Sequence, residues 1–129
     1  MAQIAVLIVD DQAPFRLAAA AVVEATAGFG VVGVAGSGEE AVLLAARLNP
    51  DLVLMDLQLP GIDGWAATRL LTASPSPPAV VVLSGGSVVD VQEQVLESGA
   101  LCYLAKAAFD RGSLRRAWAE AQGTGGGGS

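Results

Sequence analysis

The sequence predicts an α/β fold in which five parallel strands form one doubly wound sheet, and two observations carry this prediction. Short apolar runs alternate five times with segments of helical period along the 129 residues. The first run, Ile4–Val9, is apolar at every position, as in a parallel strand that is buried on both faces. Five such units favour a flavodoxin-like (βα)5 arrangement with strand order 2-1-3-4-5 over a longer dinucleotide-binding sheet.

The first unit consists of a buried strand and a helix. After Ile4–Val9, a helix is expected over about 12–26, because Pro14 is tolerated in a first turn. Gly28 lies just past the end of that helix, as a terminating glycine does. Val31–Ala35 is the second predicted strand.

Capping residues place the second unit. Ser37 and Glu40 form a capping box, which predicts the start of the second helix. The Asn-Pro pair at 49–50 ends it, since the residue before proline avoids helical backbone. Leu52–Met55 is the third predicted strand, and Gln58–Gly64 is a Pro/Gly loop.

The third and fourth units follow the same pattern. A helix is expected from about Trp65 to Thr72, followed by the proline-rich connector Ser74–Pro78 and the fourth strand, Ala79–Leu83. Ser87 is the expected N-cap of the next helix, and Gly99 is its expected end.

The last unit completes one domain. Leu101–Leu104 is the fifth predicted strand, and Asp110 is the expected N-cap of the final helix. We expect a single domain over residues 1–122 and a flexible Gly-rich tail or linker over 123–129.

Composition excludes several classes of protein. The formal net charge is −6 at pH 7, which disfavours direct nucleic-acid binding. The chain has no histidine, so neither a histidine metal site nor a Ser-His-Asp triad can form. The single cysteine, Cys102, is expected to be an inert core thiol. No apolar run is long enough to cross a membrane, and no signal peptide is evident, so we expect a cytoplasmic protein.

Chemically active side chains fall at the ends of the predicted strands. Asp10 and Asp11 follow the first strand, Asp56 the third, Ser84 the fourth, and Lys106 closely follows the fifth. Because the carboxyl ends of parallel strands share one edge of a sheet, these groups are expected in one crevice.

That set of groups suits a divalent cation and a phosphoryl group. Three carboxylates and a carbonyl oxygen are hard ligands, which favour Mg²⁺. Asp56 is the natural nucleophile, because a carboxylate can form an acyl phosphate. Lys106 and the Ser84 hydroxyl can contact phosphoryl oxygens and stabilise the transition-state charge.

Taken together, the motifs closely resemble the receiver domain of bacterial two-component response regulators, most of all the NarL/LuxR class. The matching segments are Ile8–Asp11, Leu54–Gly64, Val82–Gly85 and Gly99–Lys106. The resemblance covers about residues 4–122. One departure is Ala107, which stands where many receivers have a proline joined by a cis bond.

By this resemblance, the site is a phosphorylation centre. Asp56 would be the phosphoacceptor, Asp11 would bind Mg²⁺ directly and Asp10 mostly through water. The backbone carbonyl of Gln58 would be a further metal ligand. The Gln58 amide is also hypothesised to orient the water that hydrolyses the acyl phosphate.

The resemblance further implies a switch and its partners. Ser84 and Tyr103 would be the coupled switch pair, acting on a surface formed by the fourth helix, fifth strand and fifth helix. A sensor histidine kinase would donate the phosphoryl group. A DNA-binding output domain absent from this chain would respond to it. From the charges themselves, acidic residues on the fourth helix and arginines on the fifth could pair in a phosphorylation-dependent homodimer, or could be ordinary solvated helix surface.

Two other interpretations remain open from the residues. A receiver that never takes up phosphate could act as a docking or dimerisation module, although the complete residue set disfavours this. A haloacid-dehalogenase-type phosphatase also uses an aspartate nucleophile, but such enzymes place a second aspartate two residues later. Here that position is Gln58. The preferred interpretation is a signalling domain that is not an enzyme in its own right.

Overall fold

The computed structural model describes residues 3–125 and contains one five-stranded parallel sheet in the order β2-β1-β3-β4-β5. The strands are β1 (Ile4–Val9), β2 (Phe29–Ala35), β3 (Leu52–Asp56), β4 (Ala79–Ser84) and β5 (Cys102–Ala105). The helices are α1 (Ala13–Glu24), α2 (Gly38–Leu48), α3 (Gly64–Thr72), α4 (Val91–Ser98) and α5 (Arg111–Gly125). The predicted fold class and strand order are confirmed.

Side-chain alternation along the strands divides the core into two layers. One layer joins strand residues such as Val53 and Val82 to α2 and α3, with α4 packed against it. The other joins residues such as Ile8 and Leu54 to α1 and α5. Because successive strand residues point to opposite faces, one short apolar run fills both layers. The loops that follow the strands lie at the carboxyl edge of the sheet, between the two layers of helices.

Several helix ends use the expected residues. The Ser37 hydroxyl accepts a hydrogen bond from the Glu40 N–H at 3.1 Å, while the Glu40 carboxylate accepts from the Gly36 N–H and not from that of Ser37. Asn49 ends α2 with a left-handed φ of 48°. The Asp110 carboxylate accepts from the Ser113 N–H at 2.8 Å, which caps α5.

The start of α4 differs from the sequence prediction. Ser87 is not its N-cap: α4 begins at Val91, after Asp90, which has a left-handed φ of 52° and makes no side-chain capping bond. Gly99 does end the helix, with φ 82°. The prediction failed because Ser87 is followed by two β-branched valines, which favour extended backbone over a first helical turn.

The last helix, α5, is longer than the sequence predicts. Helix α5 continues to Gly125, so the first residues of the predicted tail, 123–125, are helical; residues 126–129 lie outside the described part. Within residues 3–125, no helix is both long and apolar enough for a membrane span. Cys102 is half-buried in β5, and burial raises the pKa of its thiol to about 11.

Candidate functional site

Asp10, Asp56 and Lys106 meet at the carboxyl edge of the sheet. Asp10 directly follows β1, Asp56 is the last residue of β3, and Lys106 directly follows β5. The Lys106 Nζ lies 2.6 Å from the Asp10 Oδ2 and 3.5 Å from the Asp56 Oδ1. The parallel sheet thus brings together charges that are up to 96 positions apart in the chain.

Asp10 is buried and held by contacts to both its side chain and its backbone. Its Oδ1 accepts a hydrogen bond from the Gln12 N–H at 2.8 Å, and its Oδ2 accepts from Lys106. Its carbonyl oxygen accepts from the Arg16 guanidinium at 2.8 Å, and its N–H donates to the Ala35 carbonyl at 3.0 Å. A buried carboxylate with this many partners has one well-defined orientation.

Asp11 joins Asp10 and Asp56 in a possible cation site. One carboxylate oxygen from each lies within 4.8 Å of the others, and Asp11 is the exposed member of the three. Oxygen donors at this spacing fit a hard divalent cation such as Mg²⁺, which keeps several waters. The donor set therefore suits the metal that the sequence predicts.

The Asp56 carboxyl is in an unfavourable place for a negative charge. Burial raises its pKa most, the nearby Asp10 raises it further, and Lys106 and the Gln58 N–H oppose the rise. Only 4% of Asp56 is exposed. Among residues 3–125, its Oδ1 contacts Lys106 and the Gln58 N–H, whereas its Oδ2 has no hydrogen-bond partner. Since none of the buried side-chain polar atoms described lacks a partner, Oδ2 is open to solvent and to a ligand.

The loop from β3 to α3 is pressed closely against Asp56. A Cβ added at Gly64 would lie 2.3 Å from the Asp56 carbonyl oxygen and 2.8 Å from the Leu57 Cα, so glycine is required there. The Asp63 carboxylate caps α3 by accepting from the Ala66 N–H at 2.9 Å. The Gln58 side chain is exposed beside this loop.

Ser84 and Tyr103 occupy neighbouring strands on one face of the sheet. In the β4–β5 register, Ser84 is opposite Ala105 and Val82 is opposite Tyr103. Because residues two apart point the same way, Ser84 and Tyr103 are diagonal neighbours on the face that α2, α3 and α4 cover. The buried Ser84 hydroxyl bonds to the Gly86 backbone, and Tyr103 is half-buried against that core layer.

Lys106 contacts an aromatic ring, that of Phe15, which the sequence analysis did not single out. The residues described contain no cis peptide bond, so Lys106 is presented from a trans backbone in a short 3₁₀ turn. Its Nζ lies 4.5 Å from the centroid of the Phe15 ring, and the Phe15 and Phe109 rings are 6.5 Å apart. Phe15 lies in the first turn of α1, close in sequence to the aspartate pair, and that proximity was the available clue.

Comparison with known proteins agrees with this geometry. Residues 6–118 match the family model described as the response regulator receiver domain. The transcriptional regulatory protein LiaR of Bacillus subtilis is 42% identical over 103 residues, which are 80% of this chain and 49% of that protein. Protein-glutamate methylesterase/protein-glutamine glutaminase 4 of Geobacter metallireducens is 41% identical over 104 residues, which are 77% of this chain and 29% of that protein. The chain therefore spans half or less of these relatives.

A solved structure is similar over nearly the whole fold. The two-component response regulator of the LuxR family from Aurantimonas sp. SI85-9A1 superposes with a TM-score of 0.79 at 28% identity. The superposition covers 89% of this chain and 81% of that one.

Proposed function

Because this chain belongs to the family of response regulator receiver domains, we propose that its Asp56 accepts a phosphoryl group from a sensor histidine kinase. The observation that carries the proposal is the position of Asp56. It is a buried carboxylate with one free oxygen, 3.5 Å from an ammonium and next to two further aspartates. A charge cluster of this kind is unfavourable for folding and favourable for phosphoryl transfer.

The transfer balances without any further reactant. A carboxylate oxygen of Asp56 forms a bond to phosphorus while the P–N bond of a phosphohistidine breaks, and the electron pair of that bond returns to the imidazole. Lys106 would offset charge on the phosphoryl oxygens, and the Ser84 hydroxyl would donate to one of them. Asp10, Asp11, Asp56 and the Gln58 carbonyl would hold Mg²⁺, which neutralises charge when it is bound.

Phosphorylation is proposed to change the surface of α4, β5 and α5. Ser84 leads directly into the 85–90 segment before α4, and Tyr103 lies on the same face of β5. A hydroxyl drawn towards a phosphoryl group would leave room for the Tyr103 ring and shift the balance between two surface conformations.

The wider setting is inferred from the relatives. Since LiaR is about twice as long as the matched region, we propose that this receiver acts in the cytoplasm and controls an output domain that regulates transcription. Exposed acids on α4 and just before it, and arginines on α5, would pair in a phosphorylation-dependent homodimer. These residues are Asp90, Glu93, Glu97, Arg111, Arg115 and Arg116.

The direct test is phosphate incorporation from acetyl phosphate with Mg²⁺, measured by intact-protein mass. Wild type is expected to gain one phosphoryl group, and Asp56→Asn to gain none. Asp63→Asn is the matched control, since asparagine also caps a helix and this side chain lies outside the charge cluster. Equal labelling of Asp56→Asn and wild type would refute the assignment. A wild type that takes up nothing would instead support a phosphorylation-independent docking module.

A further inference from the structure

We infer that Phe15 is a positioning residue, whose ring holds the Lys106 ammonium beside Asp56. The inference rests on the proposed phosphoryl transfer and adds a residue to its machinery. It starts from one contact: the Lys106 Nζ lies 4.5 Å from the Phe15 ring centroid, within the range in which a ring face attracts a cation.

The ammonium is held between two kinds of group. Asp10, at 2.6 Å, and Asp56, at 3.5 Å, provide the negative charge. The Phe15 face provides a contact that needs no formal charge. The ring face adds an attraction from α1 to the two carboxylate contacts, which narrows the positions open to the flexible lysine side chain.

Phe15 is itself fixed through the backbone of the lysine turn. The Phe109 N–H donates to the Lys106 carbonyl at 3.2 Å, which closes the turn. The Phe109 ring then lies against the Phe15 ring, with centroids 6.5 Å apart and planes inclined by 53°. Aromatic pairs favour such tilted contacts. The turn that presents Lys106 therefore also supports the ring on which its ammonium rests.

Simple core packing does not account for this arrangement. Phe15 and Phe109 pack against the α1–α5 layer but are only half-buried, whereas its fully buried core is formed by residues such as Val23 and Leu114. Only 19% of the Lys106 side chain is exposed. The ring thus covers a partly desolvated ammonium, and cation–ring attraction is strongest for a cation withdrawn from water.

The first test does not require phosphate. In the wild-type chain, ring current from Phe15 is expected to move the Lys106 Hε resonances upfield. Phe15→Leu, which keeps apolar bulk but has no ring face, is expected to remove that shift, and Phe15→Tyr to keep it. Phe29→Leu is the matched control, because Phe29 belongs to the same core layer but begins β2 at the opposite edge of the sheet.

The second test measures phosphate uptake from acetyl phosphate. Phe15→Leu is expected to slow uptake roughly three- to tenfold, with Phe15→Tyr close to wild type and Phe29→Leu unchanged at equal folded fraction. In a Lys106→Met background, Phe15→Leu is expected to have no additional effect, because the ring then has no ammonium to hold.

The possible failures are distinguishable. A wild type that takes up phosphate at the same rate as Phe15→Leu, or that lacks the upfield shift, overturns the positioning role alone. A slowing that is equally large in the Lys106→Met background shows a packing effect and also overturns it. A wild type that takes up no phosphate overturns the proposed function, and this inference with it.

Discussion

The charge cluster at the ends of β1 and β3 is fixed by many contacts, whereas the segment 85–99, which contains α4, is fixed mainly at one end. Asp10 has hydrogen-bond partners for its N–H, its carbonyl and both carboxylate oxygens. By contrast, α4 begins without a side-chain cap, after a left-handed Asp90. Val89 and Leu96 are 81% and 83% exposed. The charge cluster is therefore the more firmly held of the two regions, and the start of α4 is the more adjustable.

The carboxyl end of α4 is held by hydrogen bonds that its amino end lacks. The Thr72 Oγ1 lies 2.7 Å from the Ser98 carbonyl oxygen, so α3 is joined to the last turn of α4. The Ser98 hydroxyl accepts from the Ala100 N–H at 3.2 Å. Movement of this segment is therefore expected at its amino end, close to Ser84, and not at Gly99.

Lys106→Met gives the largest expected effect, because it removes the ammonium that lies between the Asp10 and Asp56 carboxylates. Phosphate uptake is expected to fall roughly a hundredfold, the scale measured when one donor to a developing charge is removed. Rates of uptake from acetyl phosphate are the measurement. Arg47→Met, on the exposed end of α2, is the control and should match wild type. Equal rates for Lys106→Met and wild type would show that this cluster does not act in the transfer.

Gly99→Ala tests the anchored end of the segment. The φ of 82° disfavours alanine, and its Cβ would lie 2.7 Å from the Thr72 Oγ1, so the free energy of unfolding is expected to fall by about 2 kcal/mol. Gly86→Ala is the same change at the loose end, where a Cβ meets nothing within 4 Å. It is expected to raise the free energy of unfolding by about 0.5 kcal/mol. Urea unfolding measures both, and effects of equal sign and size would contradict the contrast between the two ends.

Thr72→Val tests the link between α3 and α4 with a smaller perturbation than Gly99→Ala. It keeps the shape of the side chain and removes the hydroxyl, which lies 2.7 Å from the Ser98 carbonyl and 2.9 Å from the Thr68 carbonyl in its own helix, so about 1 kcal/mol of stability should be lost. Amide hydrogen exchange in α4 should accelerate. Thr68→Val is the control, because the Thr68 hydroxyl bonds within its own helix, to the Gly64 carbonyl. If both variants changed α4 exchange alike, the link would not be specific.

The smallest expected effect is on the titration of Asp56. Burial and then Asp10 raise its pKa, so in the absence of divalent cations Asp56 should protonate above the usual pH range of an aspartate. Because the folded-state pKa exceeds the unfolded one, the contribution of Asp56 to stability should decrease as the pH rises through that window. Asp10→Asn should lower the pKa of Asp56. Carbon-13 NMR of the Asp56 carboxyl measures this, and an unchanged or higher pKa would contradict it.

The sequence was sufficient for the parts of the site that depend on strand ends. Continuous apolar runs mark parallel strands, and parallel strands end at one edge, so the proximity of Asp10, Asp56 and Lys106 followed from order along the chain. The contact of Phe15 with Lys106 did not follow, because it depends on how α1 is rotated against the sheet.

The start of α4 was predicted wrongly because it, too, depends on packing and not on order along the chain. A serine is a good helix cap in isolation, but Val88 and Val91 pack against the core layer beneath them and the helix begins only at Val91. The close approach of Gly64 to Asp56 could not be predicted from the sequence either, because glycine in a loop is compatible with many backbone paths.

The half-buried Cys102 has a practical consequence for labelling experiments on α4. Its thiol, with a pKa of about 11, remains almost entirely protonated at neutral pH and should react slowly with maleimides. Cys102 is the only cysteine in the chain, so a second one introduced at the highly exposed Val89 could be labelled selectively. A fluorophore or spin label there would report on the loose end of α4 in an otherwise unaltered chain.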